Sequence, residues 1–268
     1  MTEREWRGER EVVLERDERT CRRCGTAATE DPNGLRLYPV GDVPRSGTVH
    51  ESALVAVCTP CFASLRSEPD GSALPDDEAL FSLVRETTER QGVTVSAVAA
   101  FASLATKLPG ELAAATADSD PVSIPDTGYV RARREVLLAI DSVDSRLDHL
   151  YAIETDALDP NLADPLAEFA GTGTKLQSEL RGIVALGECI AAGLGRCHGC
   201  FGELEADVDR CGTCDLERRD VADWRSADGS VDFEGLFDAI NETLQAASGT
   251  TEALTDRTTS VAEQLRGG

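Results

Sequence analysis

Four Cys-x-x-Cys pairs, Cys21/Cys24, Cys58/Cys61, Cys197/Cys200 and Cys211/Cys214, take up eight of the nine cysteines in this 268-residue chain. They constrain its fold more than any other feature. Two residues between two thiolates let a tight turn aim both sulfurs at one ion, and two such turns complete the tetrahedral shell that Zn²⁺ takes in structural sites. Pairing within each neighbourhood joins Cys21/Cys24 to Cys58/Cys61 and Cys197/Cys200 to Cys211/Cys214, which predicts two closed sites and two zinc ions per chain. Iron on the same sulfurs, above all at the second site, a redox dithiol and a disulfide are the alternatives. A closed four-cysteine shell leaves no open coordination position, so both sites are expected to stabilise the fold and neither to be a catalytic metal. Cys189 stands alone in a helical pattern and reads as a buried, inert thiol.

Net charge is the next constraint. The chain carries 49 acidic and 26 basic residues, a net −23 at pH 7, a balance that ordinarily opposes a phosphate-bearing partner. Only two of the basic residues, Lys107 and Lys175, are lysine, and the acids are spread along the chain. That acidic, lysine-poor pattern is similar to the composition of proteins from salt-in halophiles. Near 1 M salt the Debye length falls to about 3 Å, and net charge stops deciding partners. The N-terminal stretch is charged and no apolar run approaches about 18 residues, so no targeting segment and no membrane contact are expected. The location that follows is cytoplasmic, where cysteines are kept reduced and need a purpose other than disulfides.

Hydrophobic periodicity predicts a mainly α chain in three parts. Residues 1–66 read as a small α+β zinc module. It has a helix over residues 2–20 with Trp6 and Val13 on one face, a short strand at Leu35-Arg36-Leu37-Tyr38, an apolar run over residues 53–57 and a helix from Phe62. Residues 67–127 read as two linkers, 67–77 and 117–127, around two short helices at 78–90 and 94–108. Residues 128–268 carry three segments of period 3.5. One runs through Val136, Ile140, Val143, Leu147 and Leu150, the second from Leu162 to Leu194 and the third from Phe233 to Leu265. They predict three long helices in an antiparallel bundle, turned at Pro160 and Pro165, with a zinc ribbon inserted at 196–216. Small or polar seam positions, Gly173, Gly187, Ala247, Thr251 and Thr258, leave room for a protein partner or for self-association. The linkers predict that the first module and the bundle unfold separately.

The first module resembles the HNH endonuclease family of the four-cysteine, treble-clef type. The likeness is carried by Arg10-Glu11-Val12-Val13-Leu14-Glu15-Arg16-Asp17 running to Thr20-Cys21-Arg22-Arg23-Cys24-Gly25, and by Leu54-Val55-Ala56-Val57-Cys58-Thr59-Pro60-Cys61. It covers residues from about 8 to 66 and implies a treble-clef fold around structural zinc. Members of the family place a His-His pair at the end of the first strand, an Asn before the second cysteine pair and His residues after it. Carried over by position, these fall on Tyr38-Pro39, on Ala53, and on Phe62 and Arg66. None of these residues ligates a divalent metal or activates water, and metal-dependent phosphodiester hydrolysis needs both. His50 is the remaining candidate for a shifted base, with Asp42 and Glu51 as improvised metal ligands; the plainer reading is a solvated loop histidine. His198 reads as lying outside the ligand shell and His149 as facing solvent.

Charge is unevenly divided. Residues 1–66 hold ten arginines and eleven acids, close to neutral, so nearly all of the −23 belongs to the rest of the chain. Arg16, Arg19, Arg22 and Arg23, together with Arg4, Arg7 and Arg10, are candidates for a face that meets a phosphate backbone, as treble-clef proteins do. The competing reading pairs them with Glu3, Glu9, Glu11, Glu15 and Asp17 on a helix surface. The sequence thus reads as a non-catalytic zinc-binding protein whose degenerate HNH-like head binds nucleic acid or a protein partner. An active HNH endonuclease built around His50 and a structural or regulatory interaction scaffold are the alternatives.

Overall fold

The computed structural model describes residues 7–30, 34–41, 43, 49–66, 76–117, 128–154, 158–205 and 208–267. Trp6, Asp42 and nearly all of both expected linkers lie outside the described residues.

Helix α1 (Arg7–Arg16) buries Val13 and Leu14 against a two-stranded antiparallel sheet, β1 (Leu35–Pro39) and β2 (Leu54–Cys58), in which Leu35 faces Cys58 and Pro39 faces Leu54. Strand β2 is buried along its whole length, which its unbroken apolar run requires. Its outer edge still needs hydrogen-bond partners. The Ala56 N–H donates to the buried carboxylate of Asp17 at 2.8 Å, and the Ala56 carbonyl accepts from the Arg22 N–H at 2.9 Å. A buried peptide group left without such partners costs about 1–3 kcal/mol. Arg16 tightens the same corner by donating to the carbonyls of Glu51 and Leu54 at 2.8 and 2.7 Å. Helix α2 (Thr59–Arg66) follows β2 without a break.

The remaining helices are α3 (Asp77–Ala105), α4 (Leu108–Ala117), α5 (Gly128–Tyr151), α6 (Pro160–Gly193) and α7 (Phe233–Gly267). Four of them, α3, α5, α6 and α7, share one apolar core. Side-chain pairs set their directions. Glu86 meets Arg146 and Thr94 meets the Ala139 carbonyl, so α3 and α5 run oppositely. Arg133 meets Glu188 while Asp144 meets Arg181, which reverses α5 against α6. Glu168 meets Arg257 and Glu179 meets Thr250, which reverses α6 against α7. The result is an up-down-up-down four-helix bundle.

The fourth helix is the main departure from the periodicity. The expected short helices at 78–90 and 94–108 are one continuous α3, because Val84, Gln91, Thr94 and Val98 are buried on both sides of Gly92 and outweigh the roughly 1 kcal/mol that a glycine costs a helix. Its core face also takes the space that the small seam residues leave. A Cβ on Gly187 would stand 2.6 Å from the Phe101 ring, and one on Gly173 would stand 2.9 Å from Leu147. Thr258 meets Thr88 of α3 at 3.1 Å. The room at Gly187 and Thr258 is therefore filled from within the chain. Among the described residues the stretch Asp77–Ala114 is long and apolar enough to cross a membrane by length and composition, where the sequence reading expected none. Pro160 starts α6 beside the capping side chain of Asp159, whereas Pro165, expected in the turn, lies inside the helix.

The N-terminal module is docked on the bundle. Arg22 pairs with Glu135, Arg23 donates to the Ser142 hydroxyl at 3.1 Å, Tyr38 donates to Asp141 at 3.3 Å and Ser145 donates to the Ser64 carbonyl at 2.8 Å. All four contacts fall on α5, so the two parts are not mechanically independent.

Replacing Phe101 with Ala removes the ring that fills the notch at Gly187. Denaturant unfolding should show a loss of about 3–5 kcal/mol with the metal content of the chain unchanged.

Candidate metal centres

Three of the four cysteine pairs share one backbone design. The residue after the second cysteine is left-handed, at φ 81° for Gly25, 61° for Phe201 and 58° for Asp215. Its N–H returns to the carbonyl of the first cysteine at 2.8–2.9 Å, and the N–H of that first cysteine is taken by a carbonyl beyond the turn, Thr26, Gly202 or Leu216. Isolated bridges, Thr20 with Ala27, Arg196 with Glu203 and Arg210 with Glu217, close each knuckle. Glycine adopts this φ freely only at position 25; Phe201 and Asp215 each bear about 1–2 kcal/mol of backbone strain. The fourth pair is built differently. Cys58 ends β2 and Cys61 sits in the first turn of α2, so the step from strand to helix aims both sulfurs.

The sulfurs converge as two sets. Within Cys21, Cys24, Cys58 and Cys61, and within Cys197, Cys200, Cys211 and Cys214, all four Sγ atoms lie within 4.8 Å of one another. Individual separations are 3.6 Å for Cys24 and Cys58, 3.4 Å for Cys197 and Cys214, and 3.6 Å for Cys200 and Cys211. Four thiolates at about 2.3 Å from a tetrahedral ion stand about 3.8 Å apart. Each set therefore fits one metal ion, and among the described residues no histidine or carboxylate joins either set. Without the ion, crowded thiols share protons. Hydrogen bonding with Cys61 holds Cys21 down to about 4, and bonds from Cys200 and Cys214 hold Cys197 down, while the same contacts push Cys61 and Cys200 up. A bound dication replaces those protons and is held more weakly as pH falls. Four thiolates suit zinc or iron, and in a closed shell the chemistry such an ion would supply is cross-linking.

Each set has its own anchor. Arg23 ties the first to α5 through Ser142 and donates to the Cys61 carbonyl at 3.4 Å. Tyr129, fully buried at the start of α5, holds the second: its hydroxyl donates to the His198 carbonyl at 3.0 Å, and its ring lies 5.0 Å from Phe201 and 5.4 Å from Phe101. That aromatic contact is what offsets the strain at Phe201. Between α5, α6 and the second set lies an open cleft of about 820 Å³ that Arg133, Glu188, Cys189, His198, Arg219 and Trp224 help to line. On its floor the buried Glu188 carboxylate accepts from Arg133 at 2.7 Å and from Arg219. Burial, with Asp220 nearby, pushes the Cys189 thiol up, which agrees with an inert thiol.

The candidate base and the candidate phosphate contacts are placed as follows. His50 caps a short 3-10 turn, its Nδ1 accepting from the Ser52 N–H at 3.2 Å and facing the Ser52 hydroxyl at 3.0 Å; it is half-buried and belongs to neither cysteine set. Glu51 is next to it, with its carbonyl held by Arg16. Arg16 is paired with Asp17, Arg19 with Glu11, Arg22 with Glu135, and Arg23 is drawn inward to Ser142. Most of that arginine face is therefore spent on the protein itself. The positions that would carry catalytic groups are packing positions: Ala53 is buried, Tyr38 meets Phe62 edge to face at 6.3 Å, and Phe62 lies beneath Arg36 at 4.2 Å and Arg66 at 5.6 Å. His149, expected in solvent, is half-buried and faces the Ser145 carbonyl. Comparisons with protein-family models, with curated proteins and with solved structures found no match to the chain.

Asp17, Tyr129 and Phe201 are anchors beyond the expected site residues. Tyr129 lies seven residues before Val136 and continues the heptad of α5, so the periodicity itself marks it. Phe201 occupies the knuckle position where Gly25 stands in the first set.

Cys58→Ser should leave one metal ion per chain by elemental analysis, and should lower the melting temperature of the bundle as well as the head, since the head docks on α5. An intact bundle transition would contradict the docking. With metal bound at pH 8, iodoacetamide should label Cys189 at least about tenfold more slowly than a free thiol of pKa near 8.5, because a raised pKa leaves it protonated there. Mass spectrometry of the labelled peptide reads this.

Proposed function

We propose that the chain is a non-catalytic zinc protein that binds nucleic acid through its N-terminal module. The observation that carries the reading is the pair of complete four-sulfur sets, which leave no coordination position for a substrate or a metal-bound water. The first set joins a knuckle, a hairpin and the start of a helix, the order of a treble clef of the HNH-like type, and the second faces two knuckles in the manner of a zinc ribbon. Where an HNH endonuclease needs histidines and an asparagine, this chain spends Tyr38, Pro39, Ala53, Phe62 and Arg66 on packing. That supports a head that keeps the family's scaffold and drops its hydrolysis. The near-neutral charge of the head, within a chain of −23, favours it over the bundle as the side that meets phosphates.

Two assays on the zinc-loaded chain test this. Fluorescence polarisation with labelled DNA and RNA should show binding that weakens as KCl rises, and plasmid incubated with Mg²⁺ or Mn²⁺ should stay uncut. Cleavage lost in His50→Ala would restore the endonuclease reading. No binding at the lowest salt at which the chain stays folded would leave a scaffold for proteins.

A further inference from the structure

Three arginines from separate segments meet where the first cysteine set reaches the bundle: Arg23 from the knuckle, Arg90 from α3 and Arg146 from α5. Arg90 feels the charge of both Arg23 and Arg146, Arg146 feels that of Arg23, and both Arg90 and Arg146 lie close enough to Cys61 to feel its charge. Among the described residues one carboxylate faces them, Glu86, which takes Arg146 at 2.6 Å. Arg23 uses its Nε on Ser142 and one terminal nitrogen on the Cys61 carbonyl. Its other terminal nitrogen and the Nε of Arg146 are buried with no hydrogen-bond partner among the described residues, and the guanidinium of Arg90 has neither a hydrogen bond nor an ion pair there. Outside them, exposed Arg66 extends the basic surface across Phe62.

We propose that Arg23, Arg90 and Arg146 form an oxyanion site that takes the phosphates of a nucleic-acid backbone, with Arg66 at its rim. Guanidinium N–H groups match phosphate oxygens in geometry as well as in charge. Gathering three of them works against their own repulsion: burial first, then Arg23 and Arg146, pulls Arg90 down, and burial first, then Arg23, pulls Arg146 down against Glu86. The adjacent metal centre eases that repulsion, because four thiolates on a dication carry a charge of −2. It does not complete the hydrogen bonding, since its sulfurs are engaged with the ion. A phosphate reaches this cluster at the half-buried Arg90 guanidinium, and its charge offsets the repulsion of the two arginines beneath, whose buried N–H groups the fold leaves unmatched. The partly buried setting also screens the charges less than an exposed stripe would be screened, which suits binding in strong salt. The site rests on the nucleic-acid reading for its ligand, and it moves the contact from the Arg16–Arg19 face to the seam with the bundle.

The test uses the full-length, zinc-loaded chain and two probes, short fluorescein-labelled DNA (single-stranded and duplex) and inorganic pyrophosphate. Arg90→Gln removes a guanidinium that makes no pair among the described residues, so its melting curve should match wild type; Arg146→Gln is the second variant, and Arg19→Gln, paired with Glu11, is the control. Arg90→Gln and Arg146→Gln should each weaken DNA binding about five- to tenfold, and Arg90→Gln should take about one unit from the slope of log affinity against log salt. Arg19→Gln should leave both unchanged. Pyrophosphate should raise the melting temperature of wild type and not of Arg90→Gln. If DNA binds and both variants stay within about twofold of wild type, the site is overturned and the nucleic-acid reading stands. If no DNA binds but the pyrophosphate shift is present and lost in Arg90→Gln, the oxyanion site stands and the nucleic-acid reading falls. If neither probe responds to Arg90→Gln, the site is wrong.

Discussion

Eight thiols in two groups, each within 4.8 Å, are the constraint on which the rest of the molecule depends. Sulfurs that close cannot all be ionised without a cation among them, and a shell of four neutral thiols has little to hold it together. The backbone has nonetheless committed to the arrangement, with left-handed residues at Gly25, Phe201 and Asp215 and a strand-to-helix step at Cys58 and Cys61. A dication held in each set would supply a cross-link beyond what the small hydrophobic clusters around the cysteines provide.

Helix α5 turns the two cross-links into one structure. Its first turn carries Tyr129, which seats the second set, and its middle carries Glu135, Asp141, Ser142 and Ser145, which seat the first. The same helix packs on α3 and α6 through Val136, Ile140, Val143 and Leu147. One side of it is bundle core and the other is a docking strip for the N-terminal module. The polar contacts of that strip also explain why the arginines near Cys21 and Cys24 are turned inward, and why unmatched guanidinium groups collect at the seam.

Much of this was legible in the chain. Spacing alone identified both cysteine sets and their partition, and a period of 3.5 marked the buried faces of α5, α6 and α7, from Val136 to Leu150 and from Ile240 to Val261. What the pattern could not supply was α3. Its buried face includes Thr87, Gln91 and Thr94, polar residues that satisfy themselves on backbone carbonyls and on Gln177, so its apolar stripe looks broken at Gly92. The arginine face failed for a related reason. Helical spacing showed which arginines share a side, but only the fold shows that Arg22 and Arg23 meet α5, and that Arg90 and Arg146, more than fifty residues apart, stand beside them.

The two closed sulfur shells are the claim that everything else assumes. X-ray absorption at the zinc edge, with metal and protein quantified on the same sample, tests it most directly. Two zinc ions per chain with four sulfur neighbours each, at about 2.3 Å and with no nitrogen or oxygen in the shell, is the result this structure predicts. A single ion per chain, iron in place of zinc, or a shell of mixed sulfur and nitrogen would contradict it.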